Sequence, residues 1–255
     1  MTDGRPSIDL NADVGESFGA YRIGEDEALI PLVTSVNVAC GFHAGDPLVI
    51  ERTIRLAIEC GAAVGAHPGY PDLEGFGRRA LAMASDELEA AVLYQVAAIA
   101  GVARALGTEL RHVKAHGALY NRAAREESVA RPVARAVRRF SRDLVFVGQA
   151  GSTMIAVARE QGLAVAEEAF ADRGYLPDGS LVPRDRPGAI LPGPAETAAQ
   201  AVSIARDGRV RTVDDGWLEL HADTLCLHGD SPAAAARASG VRAALDGAGI
   251  AVRAR

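Results

Sequence analysis

Residues 35–66, SVNVACGFHAGDPLVIERTIRLAIECGAAVGA, contain one complete predicted strand–helix–strand unit. The runs Ser35–Ala39 and Ala63–Ala66 are short and apolar, which predicts two buried strands. Between them, Asp46 is an N-cap followed by proline, and Gly61 is a stop signal for the helix. Two strands joined by one helix predict parallel pairing and therefore an α/β fold.

The same alternation continues in both directions from this unit and predicts seven main strands. Ser7–Leu10 is the first of these strands and Thr224–Leu227 is the last. The others after the central unit are His112–Lys114, Leu144–Val147 and Leu163–Ala166. No linker or change of composition divides the chain, so residues 1–255 are predicted to form one domain. An irregular, seven-stranded (β/α) TIM-like barrel is the first choice, and an open doubly wound sheet is the second.

Polar residues and glycines cluster where the predicted strands end. The first strand runs into Asp9, Asn11 and Asp13, which alternate in sequence and therefore point to one side. Similar groups follow the other strands: Asn37, His43, Asp46, His67, Tyr70, Asp72, Lys114, His116, Tyr120, Asn121, Glu168, Asp172, Arg173, His228 and Asp230. Because the carboxyl ends of barrel strands converge on one face, we expect an active site there.

Two residue types are rare in this chain and lie at those strand ends. Lys114 is the single lysine among 27 Lys+Arg, and the asparagines are Asn11, Asn37 and Asn121. Arginine is a permanently charged planar fork, whereas lysine is a compact point charge that can lose its proton when buried. The position of the lysine therefore indicates a function that arginine cannot perform.

Composition argues against several classes of function. A net charge of -6 is the opposite of the basic face that binding to nucleic acid requires. The chain start lacks the apolar core of a signal peptide, and the apolar stretch Ala90–Ala103 is shorter than the ~20 residues of a membrane span. Three cysteines without a CxxC pair fit a reducing compartment, and Cys40 is expected to pack rather than react. We expect a cytoplasmic protein that binds neither membranes nor nucleic acid.

The polar groups allow chemistry with or without a metal ion. His112 and His116 have a spacing that binds metals on a helix, but on a strand they would lie roughly 13 Å apart, so we reject that pair. Asp13, His43 and His67 could hold a divalent ion, because one carboxylate and two imidazoles suit a catalytic metal. The alternative is metal-free acid–base catalysis by the same groups, with the single lysine stabilising a developing oxyanion.

Six motifs spread over nearly the whole chain resemble the LamB/YcsF family. They are DLNADVGES at 9–17, NVACGFHAGDP at 37–47, GAHPGYPD at 65–72, HVKAHGALYN at 112–121, FADR at 170–173 and LHGD at 227–230. The chain departs from the family pattern at Ala115, where members typically have proline, and at Gly69, where serine is frequent. Both substitutions are conservative, so the resemblance stands.

The resemblance implies a barrel related to the glycoside hydrolase/deacetylase superfamily. Because the family includes the A subunit of bacterial 5-oxoprolinase, it also implies ATP-dependent hydrolysis of 5-oxo-L-proline (pyroglutamate) to L-glutamate together with subunits B and C. The sequence contains no GxxxxGK[ST] phosphate loop and no GxGxxG after a strand. ATP would therefore be bound by the partner subunits or shared with them.

This interpretation assigns roles to individual residues. The candidate catalytic residues are Asp13, His43, His67, Lys114 and His116. Asp13, helped by His43 or His67, would orient or activate water. Lys114 and His116 would stabilise an oxyanion or a phosphate. The candidate substrate-binding residues are Asn11, Glu16, Asn37, Tyr70, Asp72, Tyr120, Asn121, Arg173, His228 and Asp230.

Two other functions stay open at this point. A stand-alone, metal-dependent deacetylase or amidohydrolase would contain a tightly bound divalent ion and would act without partners. A non-catalytic subunit that captures a small acid would bind 5-oxoproline unchanged. In that case, substitutions in the pocket would alter affinity rather than rate.

Overall fold

The computed structural model describes residues 6–228 and 233–254, and this part of the chain forms a barrel of parallel strands surrounded by helices. The strands are β1 (Ser7–Val14), β2 (Ser35–Ala39), β3 (Ala63–His67), β4 (Leu110–Lys114), β5 (Val145–Gln149), β6 (Ala164–Phe170), β7 (Arg209–Arg211), β8 (Trp217–Glu219), β9 (Thr224–His228) and β10 (Ala251–Val252). The helices are α1 (Asp26–Leu29), α2 (Pro47–Cys60), α3 (Ser85–Ala105), α4 (Gly117–Ala123), α5 (Glu127–Phe140), α6 (Thr153–Glu160), α7 (Pro194–Asp207) and α8 (Ala234–Gly247).

The barrel wall follows the order β1-β2-β3-β4-β5-β6-β9, and β9 also pairs with β1. That last pairing closes the sheet, so the wall in the described part of the chain has seven strands, all of them parallel. The predicted seven-stranded barrel is confirmed, and the alternative of an open sheet is excluded. Strands β7 and β8 form an antiparallel hairpin, and β10 pairs with the start of β1.

Strand β1 illustrates how the sequence pattern builds the wall. Ile8 and Leu10 are buried in the layer between strands and helices, as aliphatic alternation predicts. Asp9, Asn11 and Asp13 point towards the barrel axis and form hydrogen bonds with residues of other strands. Burial of the outer aliphatic surface contributes about 25 cal/mol per Å² to stability. The inner polar residues are tolerated because they bond to one another.

Helix α3 packs against β3, β4 and α5 on the outside of the barrel. Its buried face includes Val92, Val96 and Ile99, and Gln95 on the same face exchanges hydrogen bonds with the backbone of Gly69. Among the described residues, this 21-residue helix is the one whose length and hydropathy of 1.3 would suffice to cross a membrane. These contacts integrate it into the helical layer of the barrel.

Three local features differ from the sequence-based expectation. Strand β1 continues to Val14, so its polar residues lie within the barrel rather than beyond it. Helix α4 was not predicted, because its seven residues are too few to show a helical period. Serine is a preferred N-cap residue, so the sequence predicts that Ser85 caps helix α3. The N-cap is instead Ala84, and the Ser85 hydroxyl accepts a hydrogen bond from Arg135 at 2.9 Å. The Glu87 carboxylate accepts from the Ala84 N–H instead.

Candidate active site

A cavity of about 500 Å³ opens at the carboxyl ends of the barrel strands. This is a size typical of small-molecule sites. Its wall is formed by Asp13, Glu16, His67, Arg78, Lys114, Ala115, His116, Gly117, Ala118, Tyr120, Asn121, Arg122, Arg125, Glu126, Gln149, Phe170, Arg173, Leu181, Val182, Pro183 and Arg184. The strands deliver the central groups directly, because His67, Lys114 and Phe170 are the last residues of β3, β4 and β6.

Lys114 lies at the floor of the cavity between two carboxylates. Its Nζ is 2.9 Å from Asp13 Oδ1 and 2.7 Å from Glu168 Oε1. It also approaches Asn11 Oδ1 at 3.2 Å and Cys226 Sγ at 3.1 Å. Burial alone would lower the pKa of Lys114, but the adjacent Asp13 and the other acidic neighbours raise the pKa well above its ordinary value. Lys114 is therefore a fixed cation whose N–H groups are occupied by protein acceptors.

Glu168 connects that ion pair to the side wall, a role that the sequence interpretation did not assign to it. Its Oε2 accepts a hydrogen bond from the Tyr120 hydroxyl at 2.7 Å, and its Oε1 accepts from Asn11 at 3.0 Å. Burial and the nearby Glu168 carboxylate raise the pKa of Tyr120 well above its ordinary value. The signal in the sequence was the adjacent pair Glu167 and Glu168 in strand β6, because neighbouring strand residues point to opposite faces and one of the two must point inward.

His67 and His116 face each other across one wall of the cavity. His67 Nδ1 is 2.8 Å from the carbonyl oxygen of Lys114, and His116 Nε2 is 2.8 Å from the carbonyl oxygen of Phe76. A carbonyl only accepts, so these nitrogens carry the ring hydrogens. The remaining nitrogens, His67 Nε2 and His116 Nδ1, lie 3.0 Å apart. Burial and the neighbouring His67 lower the pKa of His116 to about 3, which keeps its ring neutral.

His43 lies directly behind this pair and is fully buried. Its ring stacks on His116 with centroids 3.7 Å apart and an angle of 4° between the planes. Neither ring nitrogen has a hydrogen-bond partner within residues 6–228 and 233–254. The carboxylate of Glu16 is close to both rings, with Oε1 3.9 Å from His43 Nε2 and 3.7 Å from His116 Nδ1. Burial, followed by His116, lowers the pKa of His43 well below its ordinary value.

Gly77 explains why the stacked rings fit together so closely. Its φ of +63° is in the left-handed region, and a Cβ at this position would lie 2.8 Å from both His116 Cδ2 and His43 Cβ. Its carbonyl oxygen accepts a hydrogen bond from the N–H of Ala118 at 2.9 Å. Only glycine satisfies both the backbone conformation and the close approach.

One donor atom each from Glu16, His43, His67 and His116 can be chosen so that all four lie within 4.8 Å of one another. This set differs from the predicted set because Glu16 takes the place of Asp13 and His116 is added. His112 is not part of this set, because its Nε2 forms a hydrogen bond with Asn37 Oδ1 at 2.8 Å inside the barrel, beneath the cavity. The rejection of a metal site built from both His112 and His116 agrees with this placement.

The mouth of the cavity is basic. Six basic side chains and three acidic ones line the cavity in the described part of the chain. Arg122 forms an ion pair with Glu126 at 2.6 Å and donates to the hydroxyl of Tyr70. Arg173 donates to the carbonyl oxygens of Ala189 and Val182, and burial lowers its pKa to about 10. The surplus of positive charge favours an anionic ligand.

The other predicted site residues fall into four groups. Glu16, Tyr120, Asn121 and Arg173 line the cavity, whereas Asn11 and Asn37 lie beneath it inside the barrel. Tyr70 and Asp72 are buried away from the cavity wall, and Asp72 instead binds Arg79 and the backbone of Gly75. Asp230 and the side chain of His228 lie outside the described residues.

Cys40 is not a nucleophile in this environment. The thiol is buried at a distance of 3.4 Å from the carbonyl oxygen of Val38, and burial raises its pKa far above the ordinary value. A protonated thiol is a poor nucleophile, so this environment favours a packing role for Cys40.

Comparison with known proteins places these motifs in one family. The model of the LamB/YcsF family matches residues 8–255. The chain belongs to the LamB/YcsF family. The barrel and the clustered residues described above are therefore those of a family member along nearly its whole length.

Highly similar relatives carry a common name, that of the A subunit of 5-oxoprolinase. One of them, from Chloroflexus aggregans, is 56% identical over 247 residues, which cover 97% of this chain and 98% of that protein. Another, from Pyrococcus horikoshii, is 49% identical over 243 residues, 95% of each chain. The crystal structure of the lactam utilization protein from Thermus thermophilus superimposes with a TM-score of 0.93 at 47% identity, covering 98% of this chain and 100% of that one.

Proposed function

We propose that this LamB/YcsF member is the A subunit of an ATP-dependent 5-oxoprolinase and contains the site at which the lactam ring of 5-oxo-L-proline is opened. The observation that carries this proposal is full-length similarity to proteins of that name, with 56% identity in one relative. The geometry supports it, because residues from four of the six sequence motifs meet in one cavity.

The chemistry of a lactam agrees with the division of labour that the word subunit implies. A five-membered lactam is a stable amide, so its hydrolysis at neutral pH requires activation. Transfer of a phosphoryl group from ATP to the amide oxygen makes the carbonyl carbon electrophilic. One water molecule then adds to that carbon and the ring C–N bond breaks. A second water molecule hydrolyses the resulting acyl phosphate to give glutamate and phosphate.

The basic mouth fits both anionic groups of this reaction. The substrate has a carboxylate, and its activated form also has a phosphoryl group. Arg78, Arg125 and Arg184 line the cavity together with Arg122 and Arg173. A guanidinium fork matches the geometry of carboxylate and phosphate oxygens. The volume of about 500 Å³ exceeds what a single lactam ring requires and leaves room for the phosphoryl group.

Asp13 is the group best placed to activate water. It lies on the cavity wall, with Oδ2 3.3 Å from His67 Nε2. Its other oxygen accepts hydrogen bonds from Lys114 at 2.9 Å and from Asn37 at 2.8 Å. Two donors on one oxygen fix the carboxylate and leave the other oxygen directed towards the imidazoles. In this proposal Lys114 acts mainly by holding Asp13 ionised and oriented, because its own hydrogens are already shared among protein acceptors.

The ATP step is assigned to partner subunits B and C, because the sequence contains no phosphate-binding loop. Such a complex uses intracellular ATP, so the proposed location is the cytoplasm. This chain would then receive the activated lactam or complete its hydrolysis within a shared site.

A reconstitution experiment tests the proposal. The purified chain is mixed with 5-oxo-L-proline, ATP and its candidate B and C subunits, and glutamate is measured with each component omitted in turn. We expect glutamate only from the complete mixture. Glutamate formation without this chain would refute its assignment to the reaction.

The same experiment separates the two competing functions. A metal-dependent amidohydrolase would hydrolyse an amide without ATP or partners, and a panel of N-acetylated compounds tests this directly. A non-catalytic subunit would bind 5-oxoproline in calorimetry, while substitutions in its cavity would leave the turnover of the complex unchanged.

A further inference from the structure

We infer that Glu16, His67 and His116 form a binding site for one divalent first-row transition ion such as Zn²⁺, with His43 packed behind them. The four chosen donor atoms lie within 4.8 Å of one another, and all four residues are buried. Two imidazoles and one carboxylate are a ligand set of catalytic zinc sites. His43 is not a further ligand, because its ring lies parallel to that of His116 with the centroids 3.7 Å apart. Mg²⁺ and Ca²⁺ are bound mainly by oxygen atoms and fit this set poorly.

The first argument is the direction of two lone pairs. His67 and His116 each donate their ring N–H to a backbone carbonyl, at 2.8 Å in both cases. Each ring therefore has an unprotonated second nitrogen, and these two nitrogens are 3.0 Å apart. Two ligands of one Zn²⁺ with bonds of about 2.0–2.1 Å are separated by roughly 3.0–3.5 Å. A backbone or carboxylate acceptor on the second nitrogen is also typical of metal-bound histidines.

The second argument is the unsatisfied ring of His43. It is fully buried, and neither nitrogen has a hydrogen-bond partner within the described ranges of the chain. A buried polar group without a partner costs about 1–3 kcal/mol, so such groups are rare unless they have a ligand or a function. Its Nε2 is 3.9 Å from Glu16 Oε1, a separation that a water molecule beside the ion could bridge.

The third argument is access from the cavity. Glu16, His67 and His116 line the cavity wall, so an ion held there would be reachable by a small molecule. Catalytic metal sites keep such an open position, whereas structural sites are closed. The Asp13 carboxylate lies 3.3 Å from His67 Nε2, close enough to accept a proton from a water molecule bound beside the cluster.

A shared proton is the physical alternative to a metal ion. If His67 or His116 were an imidazolium, an N–H···N hydrogen bond would also bring their nitrogens to 3.0 Å. That arrangement would leave the ring nitrogens of His43 without a hydrogen-bond partner among the described residues, and it would not explain why the Glu16 carboxylate lies 3.7 Å from His116 Nδ1. The inference concerns ion binding alone and does not depend on which reaction the cavity performs.

Calorimetry with Zn²⁺ tests the inference. The full chain is treated with a chelator, desalted and titrated with zinc chloride, and the bound metal is counted by elemental analysis. The cluster variants are Glu16→Gln and His116→Asn. Matched controls are Glu219→Gln and His221→Ala, which change the same residue types at exposed positions. Co²⁺ is used as a second probe, because its visible absorption reports nitrogen and oxygen ligation.

We expect one Zn²⁺ per chain in the wild type and in both controls, and affinity at least ~100-fold weaker in the cluster variants. Circular dichroism of the metal-free variants checks that they fold. Glu16→Gln is nearly isosteric, so it carries the test if His116→Asn does not fold. Absence of Zn²⁺ binding in the wild type, or equal affinity in cluster variants and controls, would overturn the inference in favour of a shared proton. Glutamate formation has no part in this measurement, so a wrong proposed function leaves the result unchanged.

Discussion

Asp9 and Asp13 lie on the same face of the same strand, yet their surroundings have opposite character. Asp9 accepts hydrogen bonds from three hydroxyl groups, those of Thr34, Ser35 and Thr224, at 2.7, 2.7 and 2.6 Å. Asp13 pairs with the only lysine and with an asparagine, and its second oxygen faces an imidazole. Four residues at ~3.3 Å each separate the two carboxylates by roughly 13 Å along the strand.

The spaces beside the two carboxylates differ as well. The cavity beside Asp13 has a volume of about 500 Å³, whereas the one beside Asp9 has about 20 Å³. The smaller space is large enough for about one water molecule. The Asp9 carboxylate is therefore part of a closed hydrogen-bond network that links β1, β2 and β9. The Asp13 carboxylate, in contrast, is accessible to a ligand. Residue type alone therefore does not distinguish a structural acid from a catalytic one.

The largest effect is expected when the two acids are compared by the same substitution. Asp13→Asn should lower the turnover of the reconstituted complex by about 10²–10⁴-fold, because it removes the proposed base. Asp9→Asn should leave turnover within about threefold, since that carboxylate does not line the active cavity. Glutamate formation measures both variants, with circular dichroism as the folding control. If Asp13→Asn kept more than a tenth of wild-type turnover, the proposed role of Asp13 would be wrong.

The next effect concerns how Asp13, Lys114 and Glu168 contribute to the stability of the folded chain. Lys114→Met would leave Asp13 and Glu168 as buried carboxylates without their cation, which should reduce the free energy of unfolding by about 3–5 kcal/mol. The double variant Lys114→Met/Glu168→Gln removes one of the two charges and should recover part of that loss. Urea denaturation followed by circular dichroism measures both. Equal losses in the single and double variants would show that the Lys114–Glu168 pair has no such role.

A smaller effect concerns Asp9 and depends on pH. Here the substitution should reduce a loss of stability rather than cause one. Burial raises the pKa of Asp9 above its ordinary value, opposed by its three hydroxyl donors and reinforced by the nearby Glu168. An acid whose pKa is higher in the folded state binds more protons there than in the unfolded chain. Its ionisation therefore reduces stability as pH rises from about 4, the unfolded value, through the raised folded value.

Asp9→Asn removes that titration, so the variant should lose less stability than the wild type as pH rises through this window. Titratable groups that do not interact with Asp9 are the same in both proteins, so their contributions cancel in the comparison. Unfolding free energies at several pH values provide the test. Parallel pH profiles for the two proteins would mean that Asp9 does not titrate differently on folding.

Several features of the fold were predictable because they depend on local periodicity. The unit at 35–66 has its strands, its Asp46 cap and its Gly61 stop where the sequence places them. The strand count and the parallel order follow from repeating that unit. Helix α4 and the extension of β1 to Val14 were missed, because a short helix and a polar strand lack the usual apolar pattern.

The sequence by itself determined the class of fold, the family and the face of the barrel where Asp13, His67, Lys114 and His116 meet. These follow from strand–helix periodicity and from motifs at strand ends, which are local properties of the chain. Only the tertiary structure decided how these groups are paired. It placed Glu16 among the three imidazoles and Asp13 beside His67, and it fixed Lys114 between two carboxylates. Such pairings join distant strands within a few ångströms, and ångström-scale distances depend on barrel closure and register rather than on residue type.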